Sequence, residues 1–169
     1  IPFFWNGTYH IFYIRGLVHG VPSHWGHLAS TDLVHWQSYP DAITPGSRGS
    51  VDGDACWTGS IIEKEGLFHA FYTGVGSYGQ TICHSTSQDL ITWKKDPRNP
   101  ILLPDSHWYE DLDWRDPSVI RSPEGEGYWM LIGARIKRAE DINPYNACVA
   151  LATSSDLETW EIQPPLVSS

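Results

Sequence analysis

Three seven-residue segments of this chain share one pattern, and that repetition limits its fold more than any other feature. Ser30-Thr31-Asp32-Leu33-Val34-His35-Trp36, Ser87-Gln88-Asp89-Leu90-Ile91-Thr92-Trp93 and Ser154-Ser155-Asp156-Leu157-Glu158-Thr159-Trp160 all read Ser-x-Asp-Leu-x-x-Trp. Their Asp residues lie 57 and 67 positions apart (89 − 32 and 156 − 89), and a proline stands four residues after each Trp, at Pro40, Pro97 and Pro164. Self-similarity at such a period marks stacked structural units, each burying its faces against its neighbours.

A second pattern precedes each marker. Gly7-Thr8-Tyr9-His10-Ile11-Phe12-Tyr13 parallels Gly66-Leu67-Phe68-His69-Ala70-Phe71-Tyr72 and, more loosely, Gly127-Tyr128-Trp129-Met130-Leu131-Ile132. These are aromatic and branched runs that follow turn residues, as strands do. Shorter strand candidates come before them at Pro2 to Trp5, Gly59 to Glu63 and Pro117 to Arg121, and after them at Thr81 to Thr86 and Ala147 to Thr153. The Trp-led segments supply a fourth strand, and no stretch carries a sustained helical period with caps. The pattern therefore predicts an all-β chain built as a β-propeller of four-stranded antiparallel blades, with blade 1 at about 1–45, blade 2 at about 51–104 and blade 3 at about 111–169. Three blades are fewer than a closed ring uses, so the chain is expected to form part of a larger ring. The uncovered faces of the first and third blades then make self-association an expected behaviour of the chain by itself. In the marker, Asp is expected to accept backbone amides in the turn before the last strand, and Trp to pack between blades.

Composition narrows the function. With 20 acidic against 11 basic residues and a net charge of −9, the chain is a poor binder of phosphate backbones, so no nucleic-acid partner is expected. No run of 18 apolar residues is present, so no membrane partner is expected, and no targeting signal is visible in Ile1-Pro2-Phe3-Phe4-Trp5. Nine tryptophans suit a neutral, hydroxyl-rich ligand held by stacking and hydrogen bonds, which points to a carbohydrate. Cys56, Cys83 and Cys148 are odd in number, widely spaced and read as small buried hydrophobes.

The first strand of a blade lines the propeller axis, so chemistry is expected where those strands begin. In the third blade Trp114-Arg115-Asp116-Pro117 holds that place, Asp116 lying 12 residues before Tyr128 (128 − 116). The same offset from Phe68 reaches Cys56-Trp57-Thr58-Gly59-Ser60, and from Tyr9 it falls just before Ile1. An Asp beside Arg115 and stiffened by Pro117 suits a carboxylate that stays charged, accepts sugar hydroxyls and favours a developing oxocarbenium ion. An ordinary Arg–Asp pair in a turn is the alternative. His19, His24 and His27 lack carboxylates at ligand spacing and read as structural or subsite histidines. Asp52 and Asp54 lack an EF-hand pattern and read as loop, and Glu110, Asp111 and Asp113 read as a solvated acidic loop or as support for the site. No metal or cofactor is implied.

Taken together, these motifs resemble glycoside hydrolase family 32, the invertase, inulinase and levanase group. Trp25-Gly26-His27-Leu28-Ala29-Ser30-Thr31-Asp32-Leu33-Val34-His35-Trp36 resembles that family's Trp-Gly-His-Ala-x-Ser-x-Asp-Leu-x-His-Trp stretch. Trp57-Thr58-Gly59-Ser60 is similar to its Trp/Phe-Ser-Gly-Ser motif, Phe71-Tyr72-Thr73-Gly74 to its Tyr-Thr-Gly motif, and Trp114-Arg115-Asp116-Pro117 to its Phe-Arg-Asp-Pro motif. The resemblance implies a five-bladed propeller that hydrolyses or transfers β-fructosyl groups with retention, using a nucleophilic Asp, a transition-state-stabilising Asp and an acid/base Glu. Asp116 matches the stabiliser, Arg115 its charged neighbour and fructosyl contact, and Trp57, Thr58 and Trp114 the surrounding substrate-binding residues. The resemblance places the nucleophile before Ile1 and the acid/base Glu after Ser169, so the chain alone is expected to be inactive. Ile14 stands where the family's Phe-Tyr-Gln motif carries its Gln. A related glycosidase acting on arabino- or xylo-oligosaccharides, or a sugar-binding propeller without catalysis, is compatible with the same residues.

Overall fold

The computed structural model describes residues 1–16, 21–136 and 146–168. The described residues contain no helix and form three antiparallel sheets of four strands, each ordered as in the sequence. The first sheet comprises β1 (Pro2–Trp5), β2 (Thr8–Arg15), β3 (His24–Ser30) and β4 (Gln37–Ile43). The second comprises β5 (Ala55–Lys64), β6 (Leu67–Gly76), β7 (Gly79–Ser87) and β8 (Lys94–Lys95). The third comprises β9 (Tyr109–Arg121), β10 (Tyr128–Ile136), β11 (Ala147–Ser154) and β12 (Glu161–Ser168). These are propeller blades. The opening strands of the second and third blades begin well before Gly59 and Pro117, where the sequence pattern starts them, because a bulge interrupts the alternation inside each.

Local chemistry explains the turns. Asn6-Gly7 and Glu65-Gly66 close the first two hairpins with both residues at positive φ, the pair of conformations that matches the twist of the flanking strands. In the marker, Ser30 Oγ accepts the amides of Asp32 (3.2 Å) and Leu33 (2.9 Å), while Asp32 Oδ1 accepts those of Val34 (2.9 Å) and His35 (2.8 Å). Asp89 and Asp156 do the same for Ile91 and Thr92 and for Glu158 and Thr159. Leu33, Leu90 and Leu157 stand in the left-handed region at φ 63°, 62° and 71°, which this local bonding offsets.

The second and third marker Trp residues then pack against the preceding blade, while Trp36 bonds within its own turn, Nε1 donating to the Leu33 carbonyl at 3.2 Å. Trp93 meets Phe12 edge-on at 5.8 Å and Trp160 meets Phe71 at 5.4 Å, contacts worth about 0.5–1.5 kcal/mol beyond their burial. Two apolar layers result. One lies between the first and second blades around Phe12, Trp25, Phe68, Tyr72 and Cys83. The other lies between the second and third around Phe71, Ile82, Trp114, Met130 and Ile132. Consequently β6 is buried on both faces from Phe68 to Thr73, Phe68, Ala70 and Tyr72 toward the first blade and Phe71 toward the third. By contrast β10 alternates, since this chain covers only one of its faces. All three cysteines are buried and free, and burial pushes the Cys83 and Cys148 thiols up to about 11, so they pack rather than react.

Asp52 is more than a loop residue. It is buried at 3% exposure, where it takes the Lys95 ammonium, the Tyr72 hydroxyl (2.8 Å) and the Gly46 amide (3.2 Å). Burial works to raise its carboxyl, but Lys95 and Tyr72 outweigh that and hold it below the usual range.

Candidate active site

The opening strands β5 and β9 are bulged at comparable points. Cys56 opposes Gly74 and Gly59 opposes Tyr72, leaving Trp57 and Thr58 against the single residue Thr73. Arg115 opposes Gly133 and Ser118 opposes Leu131, leaving Asp116 and Pro117 against Ile132. The bulges thus match Trp57 with Asp116, whereas the count from the hairpins matches Cys56. The third blade's bulge sits 12 residues before Tyr128, the second blade's 11 before Phe68 (68 − 57). Gly59 is required here, because a Cβ on it would lie 1.8 Å from the Phe71 carbonyl oxygen.

Asp116 is held at φ 58°, a conformation that costs a residue with a Cβ about 1–2 kcal/mol and that is concentrated at functional sites. Its amide donates to Thr73 Oγ1 at 2.8 Å, across the boundary between blades. Thr58 Oγ1 donates to its Oδ1, and the carboxylate is 54% exposed. Thr73 in turn donates to the Thr58 carbonyl at 3.3 Å. The other bulge is tied back in the same sense: Trp25 Nε1 donates to the Trp57 carbonyl at 2.7 Å and the Cys56 amide to the Ser23 carbonyl at 2.7 Å.

Arg115 does less for Asp116 than its position suggests. Its Nε stands 4.0 Å from Asp116 Oδ2, while its Nη1 donates to Asp113 and, at 3.1 Å, to Gln80 Oε1. Arg135 donates to the other Asp113 oxygen. Arg115 first, then Arg135, holds the Asp113 carboxyl below the usual range against the opposing effect of burial. Asp113 therefore lies within β9 as the clamp of two guanidiniums, not in a solvated loop. Glu110, in the same strand, accepts from Asn146 Nδ2 at 2.8 Å.

The expected site residues divide accordingly. Asp116, Thr58 and Arg115 come together, with the partly exposed Trp57 next to Thr58 in the strand. Trp114 does not join them: its ring is fully buried against Tyr109 at 5.2 Å, because side chains alternate along β9 and its neighbours face outward. Three contributors were not singled out from the sequence as site residues. Asp113 appears there only as part of an acidic cluster and Thr73 only inside a motif, and nothing distinguishes Gln80. Among the histidines, His27 is buried against His10 (2.9 Å), His24 pairs with Asp41 at 3.2 Å, and His19 lies outside the described residues. Among the described residues no three His, Cys, Asp or Glu side chains converge as metal ligands, and no helix is long and apolar enough to cross a membrane.

A groove of about 540 Å³ in the third blade, lined by Tyr128, Ser154, Thr159 and Trp160 among others, contains none of the Asp116 cluster. Equivalent grooves of about 370 and 400 Å³ flank the markers of the first and second blades. The groove is therefore a product of the repeated marker turn, and the Asp116 cluster lies outside it.

The family model of the glycosyl hydrolases family 32 N-terminal domain matches residues 1–169. Sucrose-6-phosphate hydrolase of Escherichia coli is 34% identical over 77% of this chain and 28% of its own length. Raffinose invertase of Escherichia coli is 32% identical over 98% of the chain and 34% of its own length. A crystal structure of a fructan 1-exohydrolase IIa variant from Cichorium intybus in complex with 1-kestose superposes with a TM-score of 0.82 at 28% identity, covering 99% of this chain and 31% of that one. The chain thus spans about a third of the length of the relatives it matches.

Proposed function

The chain belongs to glycosyl hydrolase family 32, and on that premise we propose that it supplies Asp116 as the transition-state-stabilising carboxylate of a retaining glycosidase that cleaves or transfers β-fructosyl groups. The observation that carries this reading is the presentation of Asp116. It sits at a bulge of an inner strand, in a left-handed backbone conformation, with Thr58 donating to its carboxylate. A carboxylate offers only acceptors, so it can accept hydrogen bonds from the hydroxyls of a sugar ring while its charge faces the reacting carbon. As the glycosidic bond breaks, positive charge grows on the ring, and a fixed anion favours that state over the ground state.

In this scheme Asp116 forms no bond to the sugar. A separate nucleophile and an acid/base carboxyl, about 5–5.5 Å apart, carry the two displacements through a covalent glycosyl-enzyme. Arg115, braced by Asp113 and Gln80, contributes a fixed positive edge beside the carboxylate, and the exposed part of Trp57 supplies an apolar face for the sugar. The substrate class is a sugar ending in a fructosyl group. The relatives named for sucrose 6-phosphate and raffinose, and the complex with 1-kestose, support it. The half-covered third sheet, with Ile120 at 41% and Val167 at 60% exposure, makes self-association of the chain by itself part of this reading.

The test is Asp116→Asn in the complete gene product, assayed on sucrose and 1-kestose. The expected result is an unchanged circular dichroism spectrum with kcat lower by about 100-fold or more. Near-normal turnover refutes the assignment.

A further inference from the structure

Thr73 lies in the second blade, yet both hydrogen bonds of its side chain end on bulges that form the proposed site. It is fully buried in the middle of β6, where an apolar branched residue would pack as well. Its hydroxyl nevertheless accepts the Asp116 amide at 2.8 Å and donates to the Thr58 carbonyl at 3.3 Å. One oxygen thus acts as donor and acceptor at once, a role open to Thr and Ser and closed to Val. The amide it holds belongs to a residue at φ 58°, and the carbonyl it holds belongs to the residue whose own hydroxyl grips the Asp116 carboxylate. Backbone and carboxylate of Asp116 are therefore both referred to a single buried atom. Arg115, the other candidate for this task, is occupied by Asp113 and Gln80.

The repeat shows that the scaffold does not need this hydroxyl. Counting from the residues paired with each marker serine (Tyr9 with Ser30, Phe68 with Ser87, Tyr128 with Ser154), the place of Thr73 is filled by Ile14 in the first blade and Gly133 in the third. All three blades form with Ile, Thr or Gly there, and only the blade preceding Asp116 carries an oxygen.

We infer that Thr73 is the positioning residue of Asp116: its hydroxyl bolts the second blade to the third and fixes the carboxylate's approach to substrate. This rests on the reading of Asp116 as the stabilising carboxylate. It predicts a defect in turnover more than in binding, since a misaimed anion loses its hold on the transition state first.

The test uses the complete gene product with sucrose and 1-kestose, comparing Thr73→Val, Thr73→Ser, Thr81→Val and Asp116→Asn. Thr81 is the control, another fully buried threonine whose hydroxyl reaches the Gly74 carbonyl (3.3 Å) and not the site. Thr73→Val is expected to lower kcat about tenfold or more with KM within about threefold, and Thr73→Ser and Thr81→Val to stay within about threefold of wild type in both. Amide exchange of a peptide spanning 114–118 should quicken in Thr73→Val and not in Thr73→Ser. If Thr73→Val does not fold, Thr73→Ala removes the same hydroxyl and is judged by the same criteria. A crippled Asp116→Asn alongside a fully active Thr73→Val overturns this inference and leaves the function standing. An active Asp116→Asn, or a wild type that turns over neither sugar, overturns the reading of the site and this inference with it.

Discussion

Acid should destabilise this chain well before its carboxylates titrate, through two stacked histidine pairs. His10 Nδ1 and His27 Nε2 lie 2.9 Å apart, and His69 Nδ1 and His84 Nε2 lie 3.0 Å apart, at matching places in the first and second blades. Burial, and secondarily the partner histidine, lowers His27 and His69 from 6.5 to about 4. Around the second pair, Lys64 adds to this effect and Glu63 opposes it at His69, while Asp96 and Glu158 oppose it and Arg98 adds to it at His84. Groups whose folded value is depressed keep their full contribution above the unfolded value of 6.5 and lose it as pH falls toward 4. At pH 5 each of the two costs about 2 kcal/mol, or about 4 kcal/mol together, which a urea slope of about 2 kcal/mol/M turns into a midpoint about 2 M lower. The assay is urea unfolding followed by Trp fluorescence at pH 7.5, 6.5, 5.5 and 5. His69→Phe, which keeps a ring stacked on Phe71, should remove about half of the dependence. A midpoint that is flat or rises between pH 7.5 and 5 refutes the reasoning, as does an unaltered slope in His69→Phe.

Two other substitutions probe the frame. Gly59→Ala drives a Cβ into the Phe71 carbonyl oxygen, which no side-chain rotation relieves, so a loss of about 3 kcal/mol or more in thermal or urea unfolding is expected. Lys95→Met leaves the Asp52 carboxylate buried without its cation, at an expected cost of about 3–5 kcal/mol, and adding Asp52→Asn should return part of it; an unchanged midpoint in the single variant contradicts the pairing.

Repetition made the fold readable from sequence. Asp32, Asp89 and Asp156 solve the same local problem three times, so their surroundings recur: a serine two residues before, a leucine in the left-handed region after, and a Trp four residues on. The site was readable only in outline. Asp116 and Arg115 show as an Arg-Asp-Pro sequence, but a bulge adds a residue without altering composition, so counting from the hairpins put Cys56 where Trp57 belongs. Trp114, which the resemblance sets among the substrate-binding residues, is turned into the core by strand alternation. Asp113 reads in the sequence as one more acid in an acidic run, because its partner Arg135 lies 22 residues away on the next strand.

Markers and bulges obey opposite rules, and the contrast separates scaffold from site. At the markers each blade must reverse its chain, and the second and third also cap the preceding blade, so the sequence converges on one solution. At the inner bulges the backbone geometry recurs while the side chains diverge, Trp57 and Thr58 in one blade and Asp116 and Pro117 in the next. The divergence follows from the ring. Each inner strand is tied to the blade before it by a bond that need not be the same twice, an indole to a carbonyl at Trp57 and an amide to a hydroxyl at Asp116. Those bonds set where the bulged residues stand and leave their side chains free to differ. The Asp116 carboxylate can therefore occupy one blade without disturbing the repeat that holds it, and this position, where the repeat is broken, is the one to test.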